Sequence, residues 1–308
     1  MKKFIPNNED RKCAPSKQYS GDSCFTIESL TRMCNAYNNK ILKNNFKGEL
    51  IQITDNKRHL VSQLTKRLEN VCDDQICWLK QDFIRELNDN EINEHTFRPE
   101  GPQGRFTWLN TTNINEIMAQ YEEKYPDFKF FGAVPIDFDK LNYLGIRNLD
   151  FDNFCNKDKK QRLGIVYNFD EHWQSGSHWV AMFADLKKNQ IYYFDSYGTR
   201  PKKQIRIFVN RIAKWCYNRN ILNNENNIEN SITEHSFMNP NKSNYIEEKL
   251  KDIKFNINRH QYKNSECGVY SINFILRLLK GETFENICNN ITSDDDVNKC
   301  RDVYFRFK

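Results

Sequence analysis

The chain has 308 residues, 38% hydrophobic and 28% charged, with 46 basic against 41 acidic side chains and a net charge of +5. That length supports one large core or two modest ones, and an aromatic content of 13% excludes wholesale disorder. No run approaches the roughly 18 apolar residues of a membrane helix, and Met1-Lys2-Lys3-Phe4-Ile5-Pro6 lacks the apolar segment of a secretion signal.

A soluble, non-secreted protein with no membrane partner is therefore expected. The mild positive bias comes without zinc-finger spacing, an RNA-binding aromatic signature or an arginine-rich tail, so nucleic acid is not expected as the main ligand. The ten cysteines are scattered, with no CxxC pair. In a non-secreted chain they are expected as reduced thiols, and neither a metal nor a cofactor is expected.

Residues 1 to about 20 are polar, carry Pro6 and Pro15, and read as an irregular lead-in. Ser23 is a candidate cap for a helix with Ile27, Leu30, Met33, Cys34 and Tyr37 at helical spacing. From Leu60, the positions Val61, Leu64, Leu68, Cys72, Ile76 and Leu79 predict a second helix; Trp78, Phe83, Ile84 and Leu87 continue it or start a third. Phe97-Arg98-Pro99-Glu100-Gly101-Pro102 is a linker signal. The chain thus divides into a helical N-terminal domain over 1–97 and a second domain over 98–308. Nothing in the first looks catalytic; a docking role for a substrate, a scaffold or a cofactor is expected, with covering of the second domain as the alternative.

Trp108-Leu109-Asn110-Thr111-Thr112 precedes a helix with Ile114, Ile117, Met118 and Tyr121. Residues 128–138 are strand-like, with Pro135 marking an edge or break, and residues 162–168 form a second strand. Two further strands, 176–185 and 191–194, are joined by the polar turn Leu186-Lys187-Lys188-Asn189-Gln190 and predict an antiparallel hairpin. His178 near its start then lies beside Asp195 near its end. His172, in the polar link before the hairpin, is the competing imidazole; it lacks the strand that follows His178. A helix with a basic outer face follows from Arg200 through Trp215, then an asparagine-rich loop over 217–244 and a strand over 254–258.

The run His260-Gln261-Tyr262-Lys263-Asn264-Ser265-Glu266-Cys267-Gly268 ends at Val269, Tyr270, Ile272, Phe274, Ile275, Leu278 and Leu279, a buried helix stopped near Gly281. A cysteine at a helix N-terminus faces unpaired N–H groups and the positive end of the dipole, which favour the thiolate. A Cys-Gly before a helix is by itself more often core packing than catalysis. With an imidazole and a carboxylate set across a hairpin, however, the chain holds the three parts of a thiol hydrolase.

His178-Trp179, then Phe194-Asp195-Ser196, then Gln261 six residues before Cys267-Gly268, in that order, resemble the SUMO-protease and adenovirus-protease clan of cysteine proteases. Trp108-Leu109-Asn110 is similar to that group's opening of the catalytic domain, so the resemblance covers about residues 100 to 285. Cys13-Ala14-Pro15 and Ser23-Cys24-Phe25-Thr26 look like the proteases of large cytoplasmic DNA viruses. The resemblance implies an α+β, papain-like fold of the SUMO/adenovirus-protease type, a central mixed sheet flanked by helices. It implies a Cys267–His178–Asp195 triad with Gln261 as oxyanion donor, and a slot between Trp108 and Trp179 that takes glycine in a protein substrate.

The viral branch cleaves structural polyproteins after Gly-Gly or Ala-Gly during particle maturation, which implies the virion and assembly sites in the host cytoplasm. The cellular branch removes SUMO or another ubiquitin-like modifier after Gly-Gly. The cellular pattern has Asp after the Asn; Thr111 stands there, which favours the viral role. A binding module that kept the fold, and an acetyltransferase using a thioester donor, are the readings from other classes.

Overall fold

The computed structural model describes residues 12–43, 48–223 and 252–306. The chain divides into two compact units, Met1–Gly101 with Asp302–Lys308, and Pro102–Arg301.

The first unit carries α1 (Ile27–Lys43), α2 (Lys57–Leu68), α3 (Gln75–Trp78) and α4 (Asp82–Arg85) around a core of Phe25, Leu30, Met33, Leu60, Leu64 and Trp78. The helix predicted over 60–79 is two helices. α2 starts earlier, at Lys57, where the Asn56 side chain accepts from His59 N, and ends at Leu68; Asp74 then caps α3 by accepting from Cys77 N. The last described residues belong to this unit. Arg306 N donates to Pro99 O at 3.0 Å, Gly101 N donates to Arg306 O at 3.1 Å, and Phe305 is buried.

The expectation of reduced thiols fails in this unit. Cys13–Cys24 and Cys72–Cys77 are disulfides, each with Cα atoms 5.4 Å apart. Scattered spacing does not reveal where a turn returns on itself, and both intervening segments double back far enough to bring the two Cβ atoms into bonding range. The other six cysteines are free thiols.

The second unit is built on one five-stranded sheet in the order β1 (Phe128–Pro135), β2 (Arg162–Asn168), β3 (Trp179–Asp185), β4 (Gln190–Phe194) and β5 (Ile253–Phe255). β1/β2 and β4/β5 are parallel, and β2/β3 and β3/β4 are antiparallel, so the sheet is mixed. Pro135 ends an edge strand, where a missing N–H is tolerated. β5 stops at Phe255 rather than reaching 258, because the Asn256 side chain turns to the backbone of Asp195.

Helices cover both faces. Ile165, Tyr167, Val180, Met182, Ile191 and Tyr193 point into one cluster with Phe151 and Phe154 of α6 (Phe151–Asn156) and with Ile205, Phe208, Val209 and Ile212 of α7 (Lys203–Asn223). α7 runs on to Asn223, so residues 217–223 of the predicted loop are helical; 224–244 lie outside the described residues. α8 (Cys267–Leu279) packs on β3 and β2, with Phe274 stacked on Phe194 of β4 at 4.9 Å between centroids. α5 (Thr111–Lys124) packs on β1 and also touches α8. Burial on two faces explains why β2 and β3 read as nearly continuous apolar runs. Each fully buried Ile or Val contributes about 1.5–3 kcal/mol. α9 (Phe284–Asn289) and α10 (Asp294–Asn298) follow α8.

Candidate active site

The hairpin register pairs Ala181 with Phe194 and Asp185 with Gln190. It therefore sets His178, the residue before β3, next to Asp195, the residue after β4. His178 Nε2 lies 2.6 Å from Asp195 Oδ1, with both side chains buried. That leaves Nδ1 as the ring nitrogen for a second partner. Cys267, the first residue of α8, is the second group that acts on the imidazole. Three residues far apart in sequence thus meet where the hairpin end faces the head of a helix.

Electrostatics follow from the geometry. Burial pulls the His178 imidazole down, but the hydrogen bonds and negative charges of Asp195 and Cys267 outweigh it and raise the group to about 9. Burial likewise pushes the Asp195 carboxyl up, yet His178 and Thr199 hold it below the usual carboxylate value. Burial pushes the thiols of Cys34, Cys216 and Cys288 each up to about 12.

α8, like the short α4 with Gln81 at its head, has no side-chain cap at its N-terminus. Asn56, Asp74, Asn110, Asp150, Thr283 and Ser293 cap their helices with a side chain. Glu266, at the corresponding position of α8, makes no cap hydrogen bond. The first backbone N–H groups beside the sulfur are left without that partner. The Glu266 carboxylate is turned away into a buried cluster, 3.0 Å from Arg301 Nε and accepting from Asn298 Nδ2 and Ser265 Oγ at 2.9 Å each. Asp294 accepts from Tyr262 N and Lys263 N, so the loop from Gln261 to Cys267 is anchored along its length.

Gln261 is fully buried. Its Oε1 accepts from Ser196 Oγ at 2.7 Å, and its Nε2 donates to Lys263 O at 2.6 Å, which leaves one amide N–H for another acceptor. Trp179 Nε1 donates to Leu109 O at 2.8 Å. Trp108, one residue earlier, is half exposed. Gly268 is where α8 meets this pair: a Cβ there would sit 3.1 Å from Leu109 Cβ and 3.4 Å from Trp179 Cδ1. His172 is placed elsewhere, with Nδ1 2.7 Å from Asp137 Oδ2. Among the described residues no group of three or more His, Cys, Asp or Glu side chains could hold a metal.

Sequence reasoning missed the second layer. Asn256 accepts from Asp195 N at 2.8 Å and donates to Asp195 O at 2.7 Å, fixing the carboxylate's backbone. Thr199 Oγ1 and Tyr197 N donate to the Asp195 carboxylate. The Tyr197 ring stacks on His178, centroids 4.4 Å apart at 7°. The available signal was the compact run Asp195-Ser196-Tyr197-Gly198-Thr199, whose turn needs glycine: Gly198 has φ +74° and a Cβ would meet Ile257 O at 2.7 Å.

A mixed sheet backed by a helix that begins at a cysteine, with a buried His–Asp pair at the ends of two inner strands facing it, defines a papain-like thiol hydrolase. Residues 168–307 match the model of the Ulp1 protease family, C-terminal catalytic domain. A putative thiol protease of Acanthamoeba polyphaga mimivirus is 36% identical over 310 residues, covering 96% of this chain and 93% of that protein. A SUMO-1 cysteine protease of African swine fever virus is 23% identical over 270 residues, covering 81% and 89%. The crystal structure of an African swine fever virus protease matches with a TM-score of 0.63 at 19% identity, over 100% of this chain and 99% of that one. The chain belongs to the Ulp1 protease family, and it is a cysteine protease.

Proposed function

We propose that this enzyme cleaves viral structural polyproteins after Gly-Gly or Ala-Gly during particle maturation, with Cys267 as nucleophile, His178 as general base and acid, Asp195 as orienting carboxylate and Gln261 as oxyanion donor. The single observation that carries the reading is His178 held between Asp195 and Cys267, with Nε2 committed to the carboxylate. An imidazolium beside a sulfur favours the nucleophilic thiolate. The thiolate attacks the scissile carbonyl, and the oxygen gathers charge. The free amide hydrogen of Gln261 and the uncapped N–H at the start of α8 receive that charge; losing one such donor typically costs about 3 kcal/mol. His178 protonates the leaving amine, and water, deprotonated by the same ring, releases the acyl group.

Trp108 and Trp179 form the substrate slot in this reading. A flat gap between indoles excludes side chains, which selects glycine before the cut. The N-terminal domain, residues 1–97, docks a partner, and the catalytic domain is 98–308; the enzyme works in the virion and at assembly sites in the host cytoplasm. Support for a viral setting comes from the mimivirus and African swine fever virus relatives. The name of the second, a SUMO-1 cysteine protease, favours one other reading, removal of a ubiquitin-like modifier.

The test is parallel incubation with a Gly-Gly-X peptide and a ubiquitin-like protein carrying a C-terminal fusion. Polyprotein processing expects efficient peptide cleavage without need of the folded modifier. A strong preference for the intact modifier overturns it in favour of deconjugation. Cys267→Ala abolishes turnover with the circular dichroism spectrum unchanged; retained turnover refutes the nucleophile.

A further inference from the structure

Arg259 occupies an unusual position beside the site. Its guanidinium lies over two rings, 5.1 Å from the Tyr197 centroid and 4.8 Å from the Tyr262 centroid. Its Nε donates to Gln261 O at 2.7 Å. Tyr197 is the ring that stacks on His178, so the guanidinium stands one ring away from the imidazole. Arg162, Lys263, Arg277 and Arg301 of this unit pair with Asp127, Asp295, Glu282 and Glu266, whereas Arg206, Arg211 and Arg219 donate to backbone carbonyls, as Arg259 does. Arg259 has no carboxylate partner among the described residues, and it is exposed.

A planar guanidinium with aromatic faces against it offers its edges to a ligand. The Nε side is already taken by a carbonyl, so the two terminal nitrogens remain. They present parallel donors at the spacing of a carboxylate. The rings and the Nε bond fix the side chain in advance, which lowers the entropy lost on binding. Position says which part of a substrate it meets. The imidazole must face the leaving amine to protonate it, so a group one ring beyond the imidazole flanks the chain that departs.

We propose that Arg259 is a carboxylate receptor that selects an acidic side chain within the first residues downstream of the cut. The proposal rests on the protease reading above and names the substrate class more narrowly. It assigns Tyr197 and Tyr262 as the walls that hold the receptor and Gln261 O as its anchor.

Three peptides that differ only in Glu, Gln or Lys at the first two positions after Gly-Gly test it, with kcat/KM measured for each. In the wild type the Glu peptide is favoured over the Gln peptide by about tenfold, the usual scale of a charge-assisted pair. That preference shrinks as salt rises from about 50 to about 200 mM. In Arg259→Gln the Glu:Gln ratio falls to about one, and in Arg259→Glu the Lys peptide becomes the favoured one. The ratio is taken within each variant, so a general loss of activity does not affect it. A wild-type ratio near one, or a ratio kept in Arg259→Gln, overturns the receptor. A uniform loss on all three peptides at constant ratio also overturns it and leaves Arg259 as a support of the Gln261 loop. Absence of Cys267-dependent cleavage of every peptide is the distinct result that sinks the protease reading itself.

Discussion

His178 is held by an ion-pairing carboxylate, a sulfur and a stacked phenol ring, and each leaves a measurable mark. With the imidazolium stabilised to about 9, kcat/KM is expected to fall on the alkaline side with a midpoint near 9. Asp195→Asn removes the first of the groups that raise the imidazole, so this limb moves to lower pH, and kcat drops by about two to four orders of magnitude. The sign for stability follows from the same shift. The folded value lies above the unfolded one of about 6.5, so the contribution is complete below that pH and is lost as pH rises through 9. The difference in Tm between wild type and His178→Gln should therefore narrow between pH 6 and pH 10; a constant difference contradicts the coupling. Hairpin patterning alone was enough to pair His178 with Asp195, since a tight polar link between two strands leaves few other registers. Tyr197 and Thr199 were not legible in their roles, because ring stacking and the Oγ1 bond depend on the dihedral angles of a turn.

At the scale of elements, α8 meets Leu109 and Trp179 at Gly268. Ala there gains up to about 1 kcal/mol of helix propensity. It also forces Leu109 Cβ away from a 3.1 Å contact, and overpacking of a tight core costs about 1–3 kcal/mol. Gly268→Ala is expected to lower stability by about 1 kcal/mol, and to cut kcat/KM on a Gly-Gly peptide further, because Trp179 moves with its neighbour. Thermal melts and kinetics on one preparation check both. Asn256→Ala strips both backbone groups of Asp195 of their partner in a buried setting, at a cost of about 2–3 kcal/mol by denaturant titration. The helix after Cys267 was readable because its apolar spacing is long and unbroken. β5 was overextended in the sequence reading because Asn256 alternates like a strand residue while its side chain bonds to the neighbouring strand's end.

Across the whole molecule, the cysteines are where the sequence reading failed most clearly. Alkylation of the denatured, unreduced protein should label six thiols, and ten after reduction. Ten without reductant contradicts both disulfides. Loops of 11 and 5 residues correspond to about 2–3 kcal/mol per bridge in the chain-entropy view, so reductant should lower the unfolding midpoint of the first unit. The hairpin follows from its two apolar runs, whereas the order of all five strands is a finding of the structure. The return of residues 302–306 to residues 98–101 is another, since Arg306 N and O and Pro99 O are backbone groups that carry no sequence signature.

The sulfur of Cys267 belongs to a residue only 4% exposed. Electrophile size then becomes a ruler for the aperture above it. A slim haloacetamide should inactivate far faster than a bulky maleimide, although the maleimide is intrinsically the faster reagent towards a free thiol, and an inhibitor with a branched residue next to its warhead should fail where a glycine analogue succeeds.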